Sequence, residues 1–126
     1  MTYRLSIHDS FSAAHRLTGS GGKCESLHGH NFRVTLEVGG DVLDGNGMLI
    51  DFGELKSTLK EVLAELDHSD LNEHPAFIDT SPSSENIARF IWEKVNDVIT
   101  LDSVTVVAVT VNESETASAR YEPGGK

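Results

Sequence analysis

The sequence predicts an α+β domain in the order ββααββ, a four-stranded antiparallel sheet with two helices on one face. Three observations carry that expectation. Residues 2–12 and 30–39 alternate polar and apolar side chains, the period of a half-buried strand. Two middle stretches repeat apolar residues at steps of three and four, the period of a helix with one buried face. Strand-like runs then return at 103–111 and 117–122.

In the first strand Tyr3, Leu5, Ile7 and Phe11 share one face, and Arg4, Ser6, His8 and Ser10 share the other. The segment TGSGGKCES at 18–26 reads as a Gly/Ser loop. In the second strand Phe32, Val34, Leu36 and Val38 oppose Asn31, Arg33, Thr35 and Glu37, and DGNG at 44–47 marks a turn. Asp51 followed by Glu54 resembles a capping box, and Phe52, Leu55, Leu59, Val62 and Leu66 form the stripe of the helix it opens. A second helix is expected to begin near Ser81, with Pro82 at its first position and Glu85 in its first turn. Its stripe is Ile87, Ile91, Val95 and Val98, flanked by Phe90 and Trp92. A sheet with two free edges invites self-association.

The chain of 126 residues has the size of one domain, expected to span 1–126. With 38% hydrophobic and 24% charged residues, the composition suits a folded globular chain and not a disordered one. A net charge of −10, with basic residues scattered, argues against a nucleic-acid partner, because such binding rests on Lys and Arg neutralising phosphates. A small phosphorylated substrate stays compatible with it, since a local pocket can override the global field. No stretch approaches the roughly 18 apolar residues of a membrane span, and the opening MTYRLSIHDSF lacks a signal-type apolar core. The single Cys24 forms no intrachain disulfide. The expectation is a cytoplasmic protein without a membrane partner.

His28-Gly29-His30 places two imidazoles on one face of a strand, and Gly29 keeps the space between them clear. His15 supplies a third if the first two strands pair as a hairpin, the usual arrangement of consecutive strands. Three nitrogen ligands leave a tetrahedral zinc ion one open position, the pattern of a catalytic site. Copper or nickel is also chemically compatible. The alternative is three unrelated histidines near strand ends.

Cys24 lies four residues before His28. A thiol near a cation ionises readily and can serve as base or nucleophile; the alternatives are a fourth metal ligand or an inert small residue. Asp67-His68, at the end of the first helix, can be a proton shuttle oriented by a carboxylate, or a histidine favoured by the helix terminus. Glu113 can accept two parallel hydrogen bonds from an amidine-like edge, or stand solvated in its turn. His8 and His74 read as surface histidines. Lys23 and Arg16 are phosphate candidates on charge and position.

Taken in order, FSAAHRL at 11–17, CESLHGHNF at 24–32, LIDFGELK at 49–56, LDHSDLN at 66–72, SPSSENIA at 81–88 and VNESETASARY at 111–121 resemble the 6-pyruvoyltetrahydropterin synthase family. Within it the chain is most similar to the 6-carboxytetrahydropterin synthases of queuosine biosynthesis, because three residues separate Cys24 from His28 where pyruvoyl-forming enzymes have a longer spacer. The family's usual Pro-Thr-Ser-Glu-Asn reads Pro82-Ser83-Ser84-Glu85-Asn86, which keeps a hydroxyl. The resemblance implies the tunnelling fold, assembled as a hexamer of two trimers with the active site between subunits. It implies Zn2+ on His15, His28 and His30, Cys24 as base with Asp67 and His68 as partners, and Glu113 as the pterin anchor. The implied substrate is 7,8-dihydroneopterin triphosphate. The implied products are 6-carboxytetrahydropterin, acetaldehyde and triphosphate, with the pyruvoyl-forming elimination or a non-catalytic pterin- or zinc-binding module as alternatives.

Overall fold

The computed structural model describes residues 1–17 and 26–124. Strand β1 (Tyr3–His15) and strand β2 (His28–Gly40) pair antiparallel along their whole length, from Tyr3 opposite Gly40 to His15 opposite His28. Helix α1 (Phe52–Ala64) follows, then a two-residue strand β3 (Ser69–Asp70), helix α2 (Ser84–Val98), β4 (Thr105–Asn112) and β5 (Ser118–Tyr121). The sheet order is β3-β1-β2-β4-β5.

The expected ββααββ frame is present, with a fifth strand added. β3 pairs parallel with Ala13 and Ala14, whereas all other pairings are antiparallel. Two residues are too few to show a period of two, so sequence alternation carries no trace of β3. The first two strands also run further toward each other than expected, so His15 and His28 belong to the ladder. Ala13, Ala14 and Gly29 interrupt the polar–apolar contrast there, which is why alternation ends early.

Alternation places Ile7, Phe11, Phe32, Val34, Leu36, Val109 and Val111 on the helix-facing side, all buried. Leu55, Leu59, Val62 and Leu63 of α1 and Ile87, Ile91 and Val95 of α2 close the core over them. Phe52 and Val98, expected in the stripes, are half exposed because they sit at helix ends beyond the sheet's cover. Asp51 is the N-cap residue of α1, but its side chain makes no capping bond. Helix α2 begins at Ser84, later than expected: Ser81–Ser83 stay outside the helix, and the Ser83 hydroxyl caps it by accepting the Asn86 N–H at 3.2 Å. His74 is also not a surface histidine. Its ring packs edge-on against Phe90 at 5.2 Å and near Phe77 at 5.8 Å, and its Nδ1 accepts the Ala76 N–H.

The end of β2 lies so close to its neighbours that Gly40 has no room for a side chain. A Cβ there would strike the carbonyl oxygen of Ser103 and lie 2.6 Å from Leu49 Cδ1, whereas one on Gly45 would meet nothing within 4 Å. Replacing Gly40 with Ala is therefore expected to cost about 1–3 kcal/mol, the scale of an overpacked core site. Gly45→Ala serves as the control, and thermal unfolding of the two variants should separate them clearly.

Candidate metal centre

The β1–β2 register determines where the histidines stand. His15 continues the face of Phe11 and Ala13, and His28 and His30 continue the face of Phe32 and Val34. All three therefore emerge on the helix-facing side, where the core layer ends. Their rings lie 4.6 to 5.3 Å apart, each pair steeply inclined, and Phe32 supports His15 and His30 edge-on at 5.4 Å. Glu113 follows β4 with the same parity as Val109 and Val111, so its side chain reaches the same place. One donor atom from each of His15, His28, His30 and Glu113 lies within 4.8 Å of all the others.

Backbone carbonyls set the tautomers of two rings. A carbonyl only accepts, so His15 Nδ1–H donates to Pro82 O at 2.8 Å, and His28 Nδ1–H donates to Ser26 O at 2.7 Å. With these rings in the neutral form, Nε2 is the nitrogen that keeps a lone pair. This is the outer support that metal-binding histidines use. His15 is fully buried, and its Nε2 has no hydrogen-bond partner. Glu113 Oε1 stands 3.2 Å from the Nε2 of both His15 and His30. A neutral imidazole nitrogen and a carboxylate oxygen both offer lone pairs, so their close approach calls for a cation between them. Donors about 2.0–2.1 Å from a tetrahedral ion lie roughly 3.4 Å apart, close to the two 3.2 Å separations of Glu113 from His15 and His30. The donor set thus fits a metal ion of borderline softness. Burial pushes His30 below the usual histidine value; Glu113 opposes this, while His15 and His28 add to it. The neutral imidazole a metal requires is the favoured form.

Asp67 and His68 form a second group, outside the ligand cluster and three to four residues past the end of α1. His68 adopts φ 56°, a left-handed conformation uncommon for a residue with a side chain. Both residues are clasped to β1. The Ser12 N–H donates to Asp67 Oδ1 at 2.9 Å, and the His68 N–H donates to the Ser12 carbonyl. Asp67 Oδ2 lies 3.0 Å from His68 Nδ1, so the carboxylate orients the ring and leaves Nε2 to accept a proton. The ring is 81% exposed and lines an open cleft of about 430 Å³ with Ser12, Ala14, Gly29, His30 and Asn31.

The remaining candidates divide simply. Cys24 and Lys23 lie outside the described residues. The backbone of Arg16 is held by Asn72, which accepts its N–H and donates to its carbonyl, while the residue itself is exposed. His8 is exposed, within hydrogen-bond distance of Thr35. Sequence reasoning treated Glu113 apart from the histidines; its parity with Val109 and Val111 was the available signal. The Ser12 clasp has no signal in the sequence, because both of its bonds run through the Ser12 backbone.

A family model described as 6-pyruvoyl tetrahydropterin synthase matches residues 4–124. A protein of Archaeoglobus fulgidus, provisionally named a 6-carboxy-5,6,7,8-tetrahydropterin synthase, is 40% identical over 92% of this chain and 94% of its own. The 6-carboxy-5,6,7,8-tetrahydropterin synthase of Bacillus subtilis is 35% identical over 97% of this chain and 86% of its own. The solved structure of Caenorhabditis elegans 6-pyruvoyl tetrahydropterin synthase superposes with a TM-score of 0.86 at 31% identity, covering 97% of this chain and 96% of that one. The tunnelling-fold architecture follows from that likeness.

The Ser12 N–H, and after it His68, hold the Asp67 carboxyl below the usual carboxylate range. A carboxyl with a lowered folded value contributes its stabilisation above the ordinary value near 3.8 and loses it as pH falls through the folded value. The clasp is therefore expected to persist through neutral pH and open only in strong acid. Proton–nitrogen spectra of the Ser12 amide should show one acid transition, absent in Asp67→Asn; a Ser12 amide indifferent to both would refute the clasp.

Proposed function

The chain belongs to the 6-pyruvoyl tetrahydropterin synthase family, and on that premise we propose that it is a zinc-dependent lyase. It converts 7,8-dihydroneopterin triphosphate to 6-carboxy-5,6,7,8-tetrahydropterin, acetaldehyde and triphosphate. The observation that carries the zinc enzyme is the convergence of three imidazoles on one point, two of them held at Nδ1 by backbone carbonyls, with the His15 Nε2 buried and unpartnered. Support for the carboxy-forming branch comes from the two relatives of that name and from the short Cys24–His28 spacer.

His15, His28 and His30 hold the ion. When bound, zinc supplies Lewis acidity that lowers the pKa of substrate side-chain oxygens. Cys24, four residues before His28 in the sequence, takes a proton from the substrate side chain as general base. His68, oriented by Asp67, returns a proton through its exposed Nε2. Glu113 anchors the amidine edge of the pterin ring; its carboxylate is about one-third exposed and within reach of a bound ring. The Asp67–His68 pair opens on an exposed cleft that His30 also lines, which accords with a site completed between subunits of a cytoplasmic hexamer. No helix among the described residues is long and apolar enough to cross a membrane.

The rival is the sister elimination to 6-pyruvoyltetrahydropterin, the reaction named for a human relative 33% identical over 76% of this chain. Incubation with 7,8-dihydroneopterin triphosphate, with mass analysis of the pterin and an acetaldehyde assay, separates the two. Acetaldehyde with the carboxy product is expected; a pyruvoyl product without acetaldehyde overturns the assignment. Cys24→Ala should keep zinc and lose turnover by roughly 100- to 10,000-fold, the range of a general base. Glu113→Gln should retain zinc by elemental analysis and raise KM. Loss of zinc in that variant would make Glu113 a ligand and not an anchor.

A further inference from the structure

We propose that Asn31 is a substrate-binding residue, a hydrogen-bond donor aimed into the His68 cleft and held in that orientation by Ser12. The inference deepens the function proposed above and rests on it. Ser12 and Asn31 face each other across the β1–β2 ladder on the side away from the helices. Their side chains meet at 2.6 Å, Ser12 Oγ to Asn31 Oδ1. That distance is ordinary for O–H···O and short for N–H···O, so the amide presents its oxygen to Ser12. The Ser12 hydroxyl is then the donor, and the Asn31 NH2 group is turned away from it, with no hydrogen-bond acceptor among the described residues.

Both residues line the open cleft that contains the His68 ring. The next outward positions along the hairpin are Ala14 and Gly29, which leave the cleft floor nearly bare. A Cβ on Gly29 would meet only the Ala13 carbonyl oxygen, at 3.8 Å. Ser12 also holds the proton-transferring pair through its own backbone, donating to Asp67 and accepting from His68. One residue thus fixes a base-competent imidazole and an amide donor at one opening. The chemistry this recognises is an oxygen acceptor of the pterin substrate, a hydroxyl, carbonyl or phosphate oxygen, placed beside His68 Nε2.

Asn31→Asp keeps the oxygen that Ser12 needs and replaces the amide donors with a negatively charged carboxylate, so its effect is read against the uncharged Asn31→Ala. Asn31→Ala removes both, and Ser12→Ala frees the amide while leaving the backbone clasp. Binding of neopterin triphosphate, an oxidised and unreactive pterin, is read by its fluorescence alongside steady-state turnover. Asn31→Asp and Asn31→Ala are expected to weaken binding about tenfold or more, the cost of one lost polar contact. Ser12→Ala should fall between them and wild type. Zinc content and thermal unfolding of Asn31→Asp should match wild type. Wild-type turnover with Asn31→Asp binding within about twofold of wild type overturns this inference alone. A wild-type protein that neither binds nor converts the pterin overturns the proposed function, and the role of Asn31 with it.

Discussion

The register between β1 and β2 is the constraint on which the rest of the molecule depends. Thirteen residues of each strand pair from Tyr3–Gly40 to His15–His28, with no slip between them. A side-chain period of two means that a shift of one residue would turn every buried side chain of β1 to the opposite face. Phe11, packed on Phe32 at 4.9 Å with nearly parallel rings, anchors that register just below the metal centre. The hydrophobic core and the histidine cluster are consequently one layer: Phe32 closes the first and carries the second. Placing the histidines there costs burial of His15, which the Pro82 carbonyl offsets by accepting its Nδ1–H.

Electrostatics sets this cluster apart from the other histidines of the chain. Surface histidines find water or a single partner, as His8 does with Thr35. Half-buried structural histidines are satisfied, as His74 is by Ala76 and its aromatic neighbours. At the centre, by contrast, lone pairs from the imidazoles converge with the Glu113 carboxylate, while His15 Nε2 has no donor. Pulling acceptors together without a cation is unfavourable in a partly desolvated setting. The start of α2 belongs to the same arrangement, since the extended Ser81–Ser83 segment presents the Pro82 carbonyl to His15 and leaves capping to Ser83.

Much of this was legible in the sequence, and the gaps have physical causes. The long strands and helices announced themselves because one face of each is buried over many residues. His15, His28 and His30 were legible because an HxH pair and a hairpin partner need only spacing and pairing. What the sequence concealed lies where side-chain pattern and structure part company. β3 is held by backbone bonds over two residues; the left-handed His68 is held by the backbone of Ser12. Glu113 stood in a polar turn, NESE, whose composition masked the parity it shares with Val109 and Val111.

Ser12 and His15 belong to the same strand, three positions apart, and that joins the two halves of the site mechanically. The ligand cluster sits on the helix-facing side of the hairpin end. Asp67 and His68 are fixed at its edge by bonds to a backbone that cannot move without moving His15. A site mounted on a paired strand keeps its geometry better than one on a free loop, and sub-ångström placement is what proton transfer demands. His68 bears the strain of a left-handed backbone, which persists only because Ser12 over-determines it. The same strand then leaves its edge from Tyr3 to Phe11 without a strand partner among the described residues, since β3 covers only Ala13 and Ala14. The element that organises the site is therefore also the one that leaves a long edge unpaired among the described residues, and such edges invite pairing.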